Sequence, residues 1–214
     1  KQHGMVQLVQ LSHPGRQCPK GLNKETVAPS AVPFSPALAM SFGTPRELRE
    51  DEILDIIQRF ATSAAICEKA GFEGVQLHGA HGYLISQFLS PLTNKRQDQW
   101  GGSIENRTRF LLQTYQAVRT ATSENFIISV KLNSADFQRG GISEEDVIYV
   151  FKAMDAAGID IIEVSGGSYE APAMAGVKAD KRKASTIARE AYFLDFAEKI
   201  RQEVKCHIMV TGGF

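Results

Sequence analysis

The sequence predicts an α/β fold, a TIM (β/α)8 barrel of which about five of the eight strands are present. Three observations lead there. Short apolar runs (MVQLVQL, GVQLH, FIISVKL, DIIEV and HIMV) alternate with stretches of helical periodicity. The runs are continuous rather than alternating, as expected of parallel strands covered by helices. Finally, Gln10, His78, Lys131, Ser165 with Gly166, and Gly212 all stand at or just past the C-terminal ends of such runs. In a barrel those ends converge on one mouth. An open doubly wound sheet competes, but it would carry a G-x-G-x-x-G turn after its first strand, and QLSHPGR is not one.

The elements follow in order. Met5 to Leu11 reads as a buried strand, and a loop rich in Pro, Ser and Gly runs to about Thr44. From about Arg46 to Ala70, Ile53, Ile56, Ile57, Phe60 and Ala64 recur at helical spacing, and Gly71 closes that helix. GVQLH is the next strand. After a polar loop, Thr93 to Gly102, Ser103 caps a helix with Phe110, Leu111, Thr114, Tyr115 and Val118 on one stripe. Phe126 to Leu132 is a third strand. Ser143, followed by three acids, starts a helix that Gly158 ends. Asp160 to Val164 is a fourth strand. A long loop from Ser165 to about Thr186 leads to a helix with Phe193, Phe196, Ala197 and Ile200, and HIMV is the fifth strand.

The chain has 214 residues, enough to bury a core in one domain. Its 24 Lys and Arg balance 24 Asp and Glu, so no basic surface argues for nucleic acid and no polybasic anchor for a membrane. No apolar run approaches the ~20 residues that span a bilayer. Cys18, Cys67 and Cys206 are widely separated, which fits a reduced, cytoplasmic chain better than a disulfide framework. The chain begins with Lys and stops at a strand-like run, so both ends read as cut from something longer.

The densest chemistry is His78-Gly79-Ala80-His81-Gly82-Tyr83 at the end of a strand. Two small residues between the histidines allow a sharp turn that returns His81 beside His78. Two neutral imidazoles can each donate an N–H to one oxygen and stabilise charge developing on it. Tyr83, protonated at neutral pH, can give a proton. An H-x-x-H loop can also bind zinc, but zinc takes three or four ligands, and no further His or Cys ends another strand; His207 begins its own. Histidines bonded only to backbone remain a third reading.

Gln10 is polar in an apolar strand and could read the edge of a heteroaromatic ring, or simply pair with backbone. Lys131, in ISVKLNS, needs an anionic partner, either a ligand or a structural carboxylate. The SGG and TGG turns after the last two strands could approach a phosphate. NKRQDQWGGSIENRTRF, from Asn94 to Phe110, reads as a charge network that braces its loop and helix.

QLSHPGR, AGFEGVQLHGAHGYLISQFLSPLTNKRQDQWGGSIENRTRF, VKLNSADF, EVSGG and VTGGF, in this order, resemble the Old Yellow Enzyme, or NADH:flavin oxidoreductase, family. The resemblance covers nearly the whole chain, from the third barrel strand to the seventh. It implies a single FMN-binding barrel domain, residues 1–214 being its central part. It also implies an ene-reductase in which NADH or NADPH reduces the flavin, and an α,β-unsaturated carbonyl or nitro compound is the small-molecule substrate. Carried over, His78 and His81 hold the activating oxygen, and Tyr83 protonates the α-carbon while hydride goes to the β-carbon. Gln10 contacts the flavin pyrimidine, Lys131 stands where many members have Arg, and Gly212 and Gly213 lie near the phosphate. Strands resembling the first, second and eighth are not in the chain, so the alternative is a truncated piece that retains no FMN.

Overall fold

The structure is a computed structural model and describes residues 4–170 and 193–211. In chain order it contains β1 (Leu8–Leu11), β2 (Val27–Ala28), β3 (Arg46–Glu47), α1 (Glu50–Lys69), β4 (Gly74–Gly79) and α2 (Leu84–Leu89). Then come α3 (Ile104–Ala121), β5 (Ile127–Asn133), α4 (Glu144–Ala157), β6 (Ile161–Ser165), a helix α5 over 193–201, and β7 (His207–Val210). Five strands form one parallel sheet in the order β1-β4-β5-β6-β7. Each strand joins the same side of its predecessor. A doubly wound sheet must reverse once, and this one never does, so the winding is that of a barrel wall. Among the described residues β1 and β7 have one neighbour each, so the wall is a partial barrel.

Period-two alternation sorts the side chains. Val75, Leu77, Ile128, Val130, Leu132, Ile162 and Val164 point outward and are at most 1% exposed. They pack beneath Ile53 and Phe60 of α1, Phe110 and Leu111 of α3, and Phe151 and Met154 of α4. Each such side chain contributes about 1.5–3 kcal/mol by leaving water. The intervening positions face the barrel interior, where Gln10 lies opposite Gln76 and Gln76 opposite Ser129. One layer toward the C-terminal ends, His78 lies opposite Lys131 and Lys131 opposite Glu163.

The helix ends obey their local chemistry. Ser103 and Ser143 accept the N–H groups of Asn106 and Asp146 at 3.4 and 3.1 Å. Gly71 and Gly158 take φ of +92°, the left-handed turn that ends α1 and α4. The structure departs from the sequence reading most at β1, α1 and α2. β1 starts at Leu8, with Met5 and Val6 exposed. α1 starts at Glu50, because Arg46–Glu47 pairs with Val27–Ala28 and Glu52 accepts the Arg49 N–H at 2.8 Å as a cap. The short helix α2 was not foreseen; its six residues are all buried, so it shows no amphipathic stripe. Among the described residues, no helix is long and apolar enough to cross a membrane.

Gly74 sits where β1, β4 and β5 meet on the inner face. A Cβ there would lie 2.3 Å from the Ile127 carbonyl oxygen and 2.6 Å from Leu8 Cδ2. Backbone cannot yield as a side-chain tip can. Gly74→Ala is therefore expected to cost about 1–3 kcal/mol through overpacking. A urea melt checks this; a midpoint equal to wild type would show that the strands separate freely there.

Candidate active site

The loop after β4 is built by its own backbone and by the two strands that follow. The Ala80 N–H donates to His78 Nδ1 at 3.3 Å, which puts the neutral ring's proton on Nε2. His81 adopts φ +59°, an uncommon conformation for a residue with a Cβ. Its N–H donates to Asn133 Oδ1 at 3.2 Å, its Nε2 lies 2.7 Å from Ser165 Oγ, and its backbone bridges to Ser168. The ends of β5 and β6 and the loop after β6 thus hold the strained residue in place.

The two imidazoles and the phenol foreseen from sequence do come together. The ring centroids of His78 and His81 are 5.2 Å apart and nearly perpendicular at 85°, and His78 lies 4.6 Å from Tyr83. They are not equivalent as donors: His81 Nε2 is already engaged by Ser165, whereas His78 Nε2 carries a proton. Burial lowers the pKa of both to about 4; the positive charge of Lys131 adds to the effect, and Glu163 opposes it. Both rings are neutral at physiological pH. Tyr83 is pushed up to about 12, first by its hydrogen bond with Tyr169, whose hydroxyl is 3.2 Å away, and then by burial. It stays protonated. Among the described residues, no group of three or more His, Cys, Asp and Glu is gathered to hold a metal ion.

A polar ladder crosses the inner face beside these rings. Gln10 donates to Gln76 Oε1 at 2.7 Å, and Gln76 donates to Glu163 Oε2 at 2.6 Å and Ser129 Oγ at 3.2 Å. Glu163 Oε1 in turn pairs with Lys131 Nζ at 2.9 Å. The anionic partner that Lys131 requires is thus supplied by the neighbouring strand. Glu163 was overlooked in the sequence, although a carboxylate between Ile162 and Val164 carries the same signal as the lysine between Val130 and Leu132. Gly212 and Gly213 lie outside the described residues.

Gln87, 1% exposed on α2, fixes the approach of two loops. Its amide donates to Gly82 O at 2.7 Å and Pro14 O at 3.1 Å, and its Oε1 accepts the Arg16 N–H at 3.2 Å. The His13 carbonyl also accepts the Leu84 N–H at 3.0 Å, so the loop after β1 lies against the loop after β4. Below them, the charged stretch is a brace, as its composition indicated. Asn94 donates to Phe88 O and Trp100 O, both at 2.8 Å, and Arg96 to Leu48 O at 2.7 Å. Arg107 binds Leu89 O and, at 2.7 Å, Asp146.

Comparison with known proteins agrees with this fold. The family model for NADH:flavin oxidoreductase / NADH oxidase matches residues 1–214. An NADH-dependent flavin oxidoreductase of Hypocrea jecorina (strain QM6a) is 39% identical over 229 residues, covering 100% of this chain and 57% of its own. An NADPH dehydrogenase of Geobacillus sp. (strain WCH70) is 38% identical over 213 residues, covering 100% and 56%. The chain therefore spans a little over half the length of these relatives. The old yellow enzyme homologue of Zymomonas mobilis superposes with a TM-score of 0.75 at 26% identity, over 99% of this chain and 57% of that one. A continuous parallel wall, a paired-histidine loop at its C-terminal rim and a match from end to end lead to one conclusion: the chain belongs to the NADH:flavin oxidoreductase / NADH oxidase family.

Proposed function

We propose that the chain is the central part of a single barrel domain of an FMN-dependent NAD(P)H oxidoreductase that reduces the C=C bond of α,β-unsaturated carbonyl or nitro compounds. The observation that carries the reading is the neutral His78, with its proton on Nε2, packed against a protonated Tyr83 at the mouth of the wall. When bound and reduced, the flavin supplies a hydride. The rest falls to the chain. His78 donates Nε2–H to the activating oxygen, and His81 joins it by exchanging its Ser165 contact for the ligand. Tyr83 gives its proton to the α-carbon. A neutral donor suits an oxygen that gains charge only as the reaction proceeds, because the hydrogen bond strengthens with that charge.

The inner-face donor set fits a flavin. Gln10 is exposed toward the barrel interior, and its amide suits the alternating donors and acceptors of a pyrimidine edge. Lys131 would stand near that ring as a point charge, tempered by Glu163. Gly212 and Gly213 complete the proposal at the phosphate. The alternative, a piece that retains no flavin, is separated by adding excess FMN to the purified chain. A yellow protein with perturbed flavin absorbance supports cofactor binding, and a colourless one removes it for this chain.

For the FMN-loaded parent enzyme, Tyr83→Phe is expected to slow alkene reduction about 10²–10⁴-fold while sparing bleaching of the flavin by NAD(P)H. Stopped-flow measurement of the two half-reactions checks this, and equal loss in both would count against the acid role. His78→Ala is expected to weaken binding of carbonyl and phenolic ligands about tenfold, the worth of one buried hydrogen bond, read by spectral titration. With the histidine pKa values near 4, wild-type affinity for a neutral ketone should hold from pH 8 to 5. Folding keeps these rings neutral, whereas the unfolded chain protonates them near ~6.5. The unfolded state therefore binds more protons between those values, and stability falls as pH drops through that window. Affinity that tracked a pKa near 6.5 would contradict the buried, neutral pair.

A further inference from the structure

Glu163 takes no part in the chemistry at the rim, yet it is buried inside the wall at the head of a chain of side chains. Its Oε1 pairs with Lys131 Nζ at 2.9 Å, and its Oε2 accepts from Gln76 Nε2 at 2.6 Å. Gln76, also buried, donates from the same nitrogen to Ser129 Oγ at 3.2 Å. Its Oε1 accepts from Gln10 Nε2 at 2.7 Å. Strand register holds the groups side by side, with Gln10 opposite Gln76, Gln76 opposite Ser129, and Lys131 opposite Glu163.

A carboxamide has one donor end and one acceptor end, whereas a carboxylate only accepts and an ammonium only donates. Gln76 must therefore face Glu163 with its NH2, because turned over it would set oxygen against oxygen. Its Oε1 then faces Gln10, and the same argument turns Gln10 Nε2 toward Gln76. Ser129 can give or take a hydrogen bond, so it imposes no direction. Gln10 Oε1 is the end turned away from Gln76, and its direction is decided on β6, three strands along the sheet.

We propose that Glu163 is a positioning residue: acting through Gln76, it fixes the direction of the Gln10 amide and so makes Gln10 an acceptor for a ring N–H. The inference rests on the reading of Gln10 as the contact of the flavin pyrimidine, whose edge carries N3–H between two carbonyls. The acceptor-only character of Glu163 is what matters, and Glu163→Gln keeps the size while reversing the chain. Lys131 can only donate, so it claims the single oxygen of the new amide. The NH2 of that amide then faces Gln76, Gln76 turns over, and Gln10 follows. Gln10 would meet the ring N–H with its own NH2, donor against donor.

Two measurements on the full chain test this. Without flavin, the nitrogen-15 spectrum of the side-chain amides is expected to show one hydrogen-bonded, slowly exchanging Nε2 proton on Gln10. Glu163→Gln should remove that signal and leave Gln76 with a bonded proton. Gln76→Leu, which keeps the Lys131–Glu163 pair whole, should also remove it. The second measurement is calorimetric titration with FMN and with 3-deaza-FMN, in which C–H replaces N3–H. The wild-type chain should bind FMN about fivefold tighter, the worth of one neutral hydrogen bond. Glu163→Gln should abolish that preference. Adding Gln76→Leu to Glu163→Gln should restore it to within about twofold, because an amide free to turn loses only the choice between two orientations. A merely structural carboxylate would give no such recovery. A bonded Gln10 proton that is missing from the wild-type chain, or that survives Gln76→Leu, overturns the proposal. If the amides turn as expected but the wild-type chain binds both flavins alike or neither, the relay stands and the reading of Gln10 as a flavin contact fails.

Discussion

A parallel wall covered by helices on one side only must separate its side chains by face, and every feature of the site depends on that separation. The outward positions of β4, β5 and β6 are sealed from water by α1, α3 and α4. The inward positions of the same strands are thereby free to be polar. Gln76, Ser129, Lys131 and Glu163 occupy them, joined by Gln10 of β1, and they satisfy one another across strands. A one-residue slip of any strand would drive these groups into the apolar layer and cost several kcal/mol for each unpaired buried charge. The register that stabilises the fold is thus the register that lines up the site.

The barrel was legible because its signals are local. Apolar runs, Ser caps and the closing glycines Gly71 and Gly158 each act within a few residues, and the structure follows them closely. The pairing of His78, His81 and Tyr83 was legible for the same reason, since six consecutive residues carry it. What escaped involves partners distant in sequence. Glu163 answers Lys131 across two strands, Tyr169 meets Tyr83 from 86 residues away, and Asn133 holds His81 from 52 residues away. Strand β2 and helix α2 escaped because two residues and six are too few to display a period.

The electrostatics of the site are quiet. Lys131 and Glu163 cancel, both imidazoles are neutral and Tyr83 keeps its proton. Low charge suits neutral ligands, because no ion has to be stripped of its own water shell before they enter. It also means that the donors act through direction rather than net field. Direction is supplied by the Ala80 N–H on His78 and by the Ser165 hydroxyl and Asn133 carboxamide on His81.

The clamp made by Gln87 bears on the order of assembly. Its bonds to Pro14 and Arg16 bridge separations of 73 and 71 residues. Loop-closure entropy weighs against contacts so remote in sequence, so the clamp is expected to form together with, or after, the pairing of β1 with β4. Conversely, fraying of β1 would release the loop after β4 while the sheet from β4 to β6 stays intact. The chemistry of the rim is then governed by a local opening equilibrium, which is separate from the free energy that holds the wall itself together.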